Sequence, residues 1–197
     1  MIAELDAHIR AVKKGLRAAG VPSKLLNAVA TRALRSGRRQ TGEFRSNRES
    51  RWKLRREDPQ YGSESDCKKI LLRLYGTLLE FDAAPSVDDE TRTTLEKHLG
   101  RPLAPGSFRD ELLLERLSYP EVVAEVLQPR PGVSALHIGH RDPTLTPRHV
   151  PDNVEWRTDR SNLIQGNLTL PQARTKLVEL IARYFELGEV TITPDEE

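Results

Sequence analysis

The chain has 197 residues, of which 37% are hydrophobic and 30% are charged, and its formal net charge at pH 7 is +2. This composition is too apolar for a disordered chain, so we expect a folded protein with a polar surface. A single cysteine, Cys67, excludes an intrachain disulfide and a Cys-based zinc site, and no structural zinc is expected. No apolar run approaches the roughly 20 residues that span a bilayer, which predicts a soluble cytoplasmic protein without a membrane partner.

The first two-thirds of the chain show the residue spacing of amphipathic helices. Apolar residues from Ile2 to Leu16 recur every three or four positions, and Gly20 follows them as a stop signal. A second helix is expected to begin at Ser23 and to end before Gly37. Further helices are predicted over 65–81 and, as two or three shorter ones, over 87–127, with start signals at Ser86, Ser107 and Pro120.

Basic residues are concentrated between Arg32 and Arg56, where ten arginines and lysines face only two glutamates. From about residue 38 to 62 no helical or strand periodicity is visible, which predicts a loop or arm that becomes ordered on a partner. Such a charge run is often only a solvated surface segment, and the alternative role is contact with nucleic-acid phosphates. The candidates for that contact are Arg38, Arg39, Arg45, Arg48, Arg51 and Lys53.

A Pro/Gly cluster over 128–132 is the predicted boundary between residues 1–128 and 129–197. Beyond it, we expect a strand over 133–138, a second short strand over 154–156 and a short helix from about Arg160. Thr169 is the expected cap of a final helix over 170–187. The buried face of that helix is expected to consist of Ala173, Leu177, Leu180, Ile181 and Tyr184. The fold class that follows is α+β and mostly α.

Three polar residues lie at the ends of these predicted C-terminal elements. His140 follows the first strand, Asn153 opens the second, and Asn162 begins the short helix nine residues further on. Taken singly, such residues usually form turns or cap helices. In this order they indicate a catalytic site, because an imidazole with a pKa of about 6.5 suits a general base and an amide oxygen suits a hard divalent cation.

This arrangement resembles the HNH, or ββα-metal, nuclease family in its His-Asn-Asn variant, over about 55 residues from Val133 to Leu187. The resemblance implies a C-terminal ββα-metal module with an extra helix. It implies that His140 activates water as the general base, that Asn153 fixes the loop that orients it, and that Asn162 binds one divalent metal. The implied cofactor is Mg²⁺ or Mn²⁺, and the implied substrate is double-stranded DNA.

One position departs from the family pattern. Most members carry an Asp or His directly before the catalytic histidine as the second metal ligand, whereas this chain has Gly139. The second ligand therefore stays open between His137, Asp142 and a carboxylate from elsewhere in the fold. A bend at Gly139 would be needed to bring His137 and His140 to one side of the strand.

The resemblance and the chain length together predict a divalent-metal-dependent DNA endonuclease, of the restriction type and acting as a homodimer. Residues 1–128 would supply DNA binding and dimerisation, and residues 129–197 the cut. Arg157 and Arg160 flank the predicted site and are expected to clamp the scissile phosphate. Two alternatives stay open: a catalytically inactive DNA-binding protein with a degenerate ββα unit, and a phage or mobile-element enzyme that nicks one strand.

Overall fold

The computed structural model describes residues 1–42, 45–129 and 136–191, and the side chains of all of these except 39–46 and 136. This part of the chain has a mixed α+β fold that is mostly helical, as predicted. Its helices are α1 (Ile2–Ala18), α2 (Ser23–Leu34), α3 (Glu64–Leu78), α4 (Asp89–Leu99), α5 (Tyr119–Leu127), α6 (Asp159–Gln165) and α7 (Leu170–Glu186). Its strands are β1 (Arg39–Gly42), β2 (Arg45–Asn47), β3 (Leu136–His140) and β4 (Val154–Thr158), and short 3-10 helices cover Arg51–Lys53 and Pro151–Asn153.

Helix α3 is the centre of the helical body, because it packs against α1, α2 and α4. Its apolar side chains are buried, and the Tyr75 hydroxyl donates to the Leu26 carbonyl of α2 at 2.9 Å. The helices predicted in the first 81 residues are confirmed, with ends displaced by a few residues. The start signal at Ser107 was wrong, because residues 100–118 form turns there, with the Phe108 amide bonded to the Glu80 carbonyl. Within the described ranges, no helix is both long and apolar enough to cross a membrane.

The first part of the arginine-rich segment forms a hairpin, so the prediction of a loop or arm over 38–62 was wrong for the strands β1 and β2. Strands β1 and β2 pair antiparallel, and Arg35 forms a bridge with Ser50 at the base of the hairpin. There the Ser36 amide donates to the Glu49 carbonyl at 2.8 Å. The strands are four and three residues long and have no alternation of apolar and polar positions, so their sequence carries no strand signal.

The C-terminal elements follow one another in the predicted order of strand, loop, strand, helix and helix. Strand β3 pairs antiparallel with β4, with Gly139 opposite Glu155 and His140 opposite Val154. The predicted start of the first strand, residues 133–135, lies outside the described residues. His140 was predicted to follow the first strand, but it is the last residue of β3. The pairing of the two strands extends past it, because the Arg141 amide donates to the Asn153 carbonyl at 2.9 Å.

Strand β4 shares one hydrophobic core with the helical body. Val154 and Trp156 are buried in the same cluster as the apolar residues of α1, α2 and α3. The Trp156 Nε1 donates to the Leu74 carbonyl at 3.0 Å, and its ring lies edge-on to Phe81. The proposed boundary between residues 1–128 and 129–197 stays a prediction about sequence organisation, while the packing holds the described residues on its two sides together.

Helix α7 begins as predicted and then extends away from the core. Thr169 forms a capping box with Gln172, which satisfies the first backbone amides. Leu170 and Ala173 are buried in a small cluster with Leu112. The predicted buried face was wrong beyond Leu177, which is partly buried, because no described element covers the later turns. The exposed residues of that face are Leu180 (46% exposed), Ile181 (53%) and Tyr184 (46%).

Candidate active site

The loop between β3 and β4 is closed by the side chain of Asn153. Its Oδ1 accepts a hydrogen bond from the Asp142 amide at 2.7 Å, and its Nδ2 donates to the carbonyls of Asp142 and Arg148, both at 2.8 Å. Asn153 is buried, so these three bonds are shielded from water. This geometry is what a residue that fixes the loop behind His140 needs.

His140 ends β3 in a largely enclosed position. Its Nε2 is buried without a hydrogen-bond partner, and its carbonyl accepts a bond from Gln165 of α6 at 2.8 Å. Burial, together with the smaller effect of the positive charges of Arg148 and Arg51, lowers the pKa of His140 to about 4. The imidazole is therefore neutral at pH 7 and can accept a proton.

His149 is a second buried histidine beside His140, and it belongs to none of the sequence motifs described above. It is fully buried, its Nε2 donates to the Ala33 carbonyl of α2 at 2.8 Å, and its ring lies edge-on to His140 with centroids 5.9 Å apart. Gly62 is packed on it, since a Cβ at that position would lie 3.1 Å from the His149 ring. The loop of the candidate site is thus anchored to the helical body, which no local sequence pattern could show.

Both buried histidines should make the protein sensitive to acid. Burial lowers the pKa of His149 to about 3, and burial also dominates the lowering at His140. Because an unfolded histidine titrates at about 6.5, the unfolded chain binds more protons below that pH. We expect the unfolding free energy to fall between pH 6 and 4 by about 1.4 kcal/mol per pH unit for each histidine.

The matched variant is His149→Gln, whose amide can still donate to the Ala33 carbonyl. Urea unfolding between pH 8 and 4 should show a shallower loss below pH 6 in this variant than in the wild type. Between pH 7 and 8 the unfolding free energies of the variant and the wild type should change in parallel, because histidine is mostly neutral there in both the folded and the unfolded chain. Equal acid slopes would contradict the buried, neutral state of His149.

Gly139 is required by the side chains that cross it. A Cβ at this position would lie 2.5 Å from Arg157 Cγ and 2.7 Å from Asn162 Oδ1. The Asn162 oxygen therefore lies directly over the glycine, in the cleft between β3 and α6. The space that a side chain at position 139 would occupy is filled here by Arg157.

Arg157 is completely buried and is paired with carboxylates from the loop before α5. Its Nη2 donates to Glu111 at 3.0 Å, and its Nη1 lies 3.7 Å from Asp110. Asp110 also accepts bonds from the Thr158 amide and the Ser161 hydroxyl, which fixes the start of α6. The expectation that Arg157 clamps a phosphate needs correction, because its charge is already compensated inside the protein.

Of the two residues considered as second metal ligands, only His137 shares the cleft with Asn162. His137 lies on the same face of β3 as Gly139, and its Nε2 is 3.3 Å from Asp159 Oδ1, one turn before Asn162 on α6. Asp142 instead accepts bonds from the amide and hydroxyl of Thr144 and closes a turn. No group of three His, Cys, Asp or Glu side chains that could hold a metal occurs among the described residues.

The other residues predicted to contact DNA lie in different environments. Arg160 is 75% exposed with Glu115 at 3.6 Å, and Arg38, Arg48 and Lys53 are exposed. Arg51 is buried instead, and its Nη1 donates to the Gln60 carbonyl at 3.0 Å. The side chains of Arg39 and Arg45 lie outside the described residues.

Comparison with known proteins finds a similar solved structure but no matching family model. No protein-family model matches the chain, and no curated protein matches it at a significant level. A solved structure described as the crystal structure of a type II restriction endonuclease has a TM-score of 0.54 and 22% sequence identity, over 65% of this chain and 55% of that one. The two share a fold. The chain spans only about half the length of that protein, and at this identity the similarity concerns the fold alone.

Proposed function

We propose that this protein is a DNA endonuclease that hydrolyses phosphodiester bonds with His140 as the general base. The observation that carries the proposal is a neutral, enclosed imidazole at the end of β3, behind which Asn153 ties the loop. The fold shared with a type II restriction endonuclease supports it. The restriction-type assignment and the homodimer belong to the same proposal, because one site per chain cuts both strands most simply as a symmetric pair.

In this mechanism the protein contributes proton transfer and positioning. Neutral His140 accepts a proton from water as the water oxygen bonds to phosphorus and the bond from phosphorus to the 3′ oxygen breaks. A pKa of about 4 makes the free imidazole a weak base. A phosphate anion close to the ring favours the imidazolium form, so the basicity of His140 rises when DNA binds. During the proton transfer, Gln165 holds the end of β3 through the His140 carbonyl, and Asn153 holds the loop through the Asp142 carbonyl.

The proposed cofactor is Mg²⁺ or Mn²⁺ in the cleft between β3 and α6. Asn162 would bind it, with His137 as the second ligand and Asp159 beside His137. These donors fit a cation that keeps several waters and needs only one or two protein carboxylates. When bound, the cation neutralises charge that develops on the phosphate and the leaving oxygen. The positive charge of Arg157 does not oppose it, because Asp110 and Glu111 compensate that charge.

A second candidate function is a DNA-binding protein that does not cut. The observation that favours it is the packing of Arg157 against Gly139, in the place of the ligand that the family usually carries. The test is a cleavage assay on methylated and unmethylated plasmid DNA with Mg²⁺, Mn²⁺ or EDTA. Discrete metal-dependent fragments would support the endonuclease, and nicked circles alone would indicate the single-strand alternative. Tight DNA binding without any cut would favour the second candidate.

The metal proposal predicts a specific response of Asn162→Ala. Loss of the carbonyl ligand should lower cleavage at limiting Mg²⁺ by about tenfold to a hundredfold, with partial recovery at high Mn²⁺. Mn²⁺ affinity should fall in parallel, which titration calorimetry measures without DNA. Asn167→Ala, at an exposed position just after α6, is the matched control. If the Asn162 variant binds Mn²⁺ like the wild type, Asn162 is not a ligand.

A further inference from the structure

The described arginines differ in whether a carboxylate compensates their charge. Several have carboxylate partners within ion-pair distance, among them Arg73, Arg101, Arg116, Arg141, Arg157 and Arg160. Three others, Arg48, Arg51 and Arg148, form no ion pair with any residue that the structure describes. Arg148 and Arg51 lie near each other, because they donate to the adjacent carbonyls of Pro59 and Gln60 at 2.8 and 3.0 Å. Burial lowers the pKa of Arg51, and the charges of Arg148 and Arg48 act in the same direction.

Arg51 is fixed in place by neutral groups only. Its Nη1 and Nη2 donate to the carbonyls of Gln60 and Arg32 at 3.0 and 3.3 Å, while its Nε is buried without a partner. Burying a guanidinium in this way is costly unless another charge compensates it. Asp58 raises the pKa of Arg51, but by less than either Arg148 or Arg48 lowers it.

Arg148 reaches the same place from the loop between β3 and β4. Its Nε donates to the Pro59 carbonyl at 2.8 Å, next to the Gln60 carbonyl that holds Arg51. Asn153 binds the Arg148 carbonyl, so the residue that ties the loop also positions this side chain. The segment 59–62, which also packs on His149 through Gly62, therefore holds both arginines beside the candidate site.

His140 is the titratable group beside this cluster, because its ring lies edge-on to His149, which packs on Gly62 of the segment 59–62. Burial lowers the pKa of His140, the charges of Arg148 and Arg51 act in the same direction, and its Nε2 has no hydrogen-bond partner among the described residues. Both His140 and Arg148 keep part of their surface exposed, so the cluster can be reached from solvent. Two uncompensated positive charges beside an unpartnered imidazole form a site for an anion.

We propose that Arg51 and Arg148 form a phosphate-binding site at His140, which receives the scissile phosphodiester of the nucleic acid. The inference deepens the proposed nuclease function and rests on it for the identity of the substrate. Arg51 comes from the helical region and Arg148 from the loop after β3, so both parts of the chain complete the site. Arg157, which the sequence placed in this role, is compensated by Asp110 and Glu111 and does not contribute.

The test uses inorganic phosphate as the probe on the full chain, without metal, at constant ionic strength. The ring carbon signals of the five histidines are followed by NMR during the titration. The His140 signal, assigned from His140→Gln, should shift saturably, and its pKa should rise from about 4 in the presence of phosphate. No phosphate-dependent shift at His140 would overturn the proposal.

The variants compare a partly exposed member of the cluster with an exposed neighbour outside it. Arg148→Gln should weaken phosphate binding by about tenfold, whereas Arg55→Gln should leave it unchanged. Arg51→Lys, which keeps the charge, should have an intermediate effect. Equal weakening by Arg55→Gln would overturn the site, because a general loss of charge would then explain the result.

Cleavage measurements separate this inference from the proposed function. If phosphate binds as expected but no condition yields DNA cleavage, the anion site stands and the endonuclease proposal fails. If the wild type cuts DNA and Arg148→Gln cuts equally well, the endonuclease stands and the phosphate site fails. The endonuclease and the phosphate site are both supported if Arg148→Gln lowers kcat/KM for DNA cleavage by about tenfold or more.

Discussion

Replacing His140 with alanine should lower the rate of DNA cleavage by about a hundredfold to ten-thousandfold, the range in which general bases contribute. The reason is that His140 is the enclosed imidazole at the end of β3 that is neutral at pH 7. DNA affinity, measured by fluorescence anisotropy in Ca²⁺ or EDTA, should change little, because an uncharged side chain is removed. Single-turnover cleavage of a plasmid or an oligonucleotide duplex is the direct measurement.

The control for this variant is His8→Ala. His8 lies on α1 in the helical body, where its ring contacts His98 of α4. It should retain wild-type cleavage. Cleavage by His140→Ala at the wild-type rate would remove His140 from the mechanism, and the role of general base would pass to another group.

Replacing Asn153 with alanine should damage both stability and cleavage. The substitution removes three hydrogen bonds and leaves the Asp142 and Arg148 carbonyls without their partner. At about 1 kcal/mol for each bond, the unfolding free energy should fall by about 3 kcal/mol. Cleavage should fall by more than the folded fraction, because the loop then holds neither His140 nor Arg148 in position.

Asn153→Asp isolates the contribution of the two donated bonds, because it keeps the size of the side chain and the acceptor for the Asp142 amide. Its carboxylate would face two carbonyl oxygens, so a comparable loss is expected at pH 7. Asn167→Asp, at an exposed position, should be close to wild type in denaturant unfolding. If Asn153→Ala unfolds at the wild-type denaturant concentration, the loop does not depend on this side chain.

The sequence predicts this fold best where one helical face or strand face carries the information. The spacing of apolar residues locates α1, α2 and α3, because each of them buries a continuous face in one core. The order of His140, Asn153 and Asn162 locates the C-terminal elements for a similar reason, since His140 ends β3, Asn153 directly precedes β4 and Asn162 lies within α6.

The sequence predicts poorly what depends on contacts between distant segments. The bond from His149 to Ala33 joins residues 116 positions apart, and the pairs of Arg157 with Asp110 and Glu111 join positions 46 or 47 apart. An arginine next to a catalytic motif is predicted to bind phosphate, because the sequence does not show whether a carboxylate elsewhere in the fold compensates its charge. The same limit explains α7, whose apolar stripe predicts burial but does not reveal whether a neighbouring element reaches it.

The exposed second half of α7 has a consequence for local motion. From Val178 onward its apolar side chains are largely exposed, so the backbone bonds and the capped first turn supply most of its support. A helical segment of that length is marginally stable in water. Amide protons there should exchange with solvent far faster than those of α3, through opening that leaves the rest of the fold intact. Strong protection of these amides in solution would indicate that another surface covers this half of the helix.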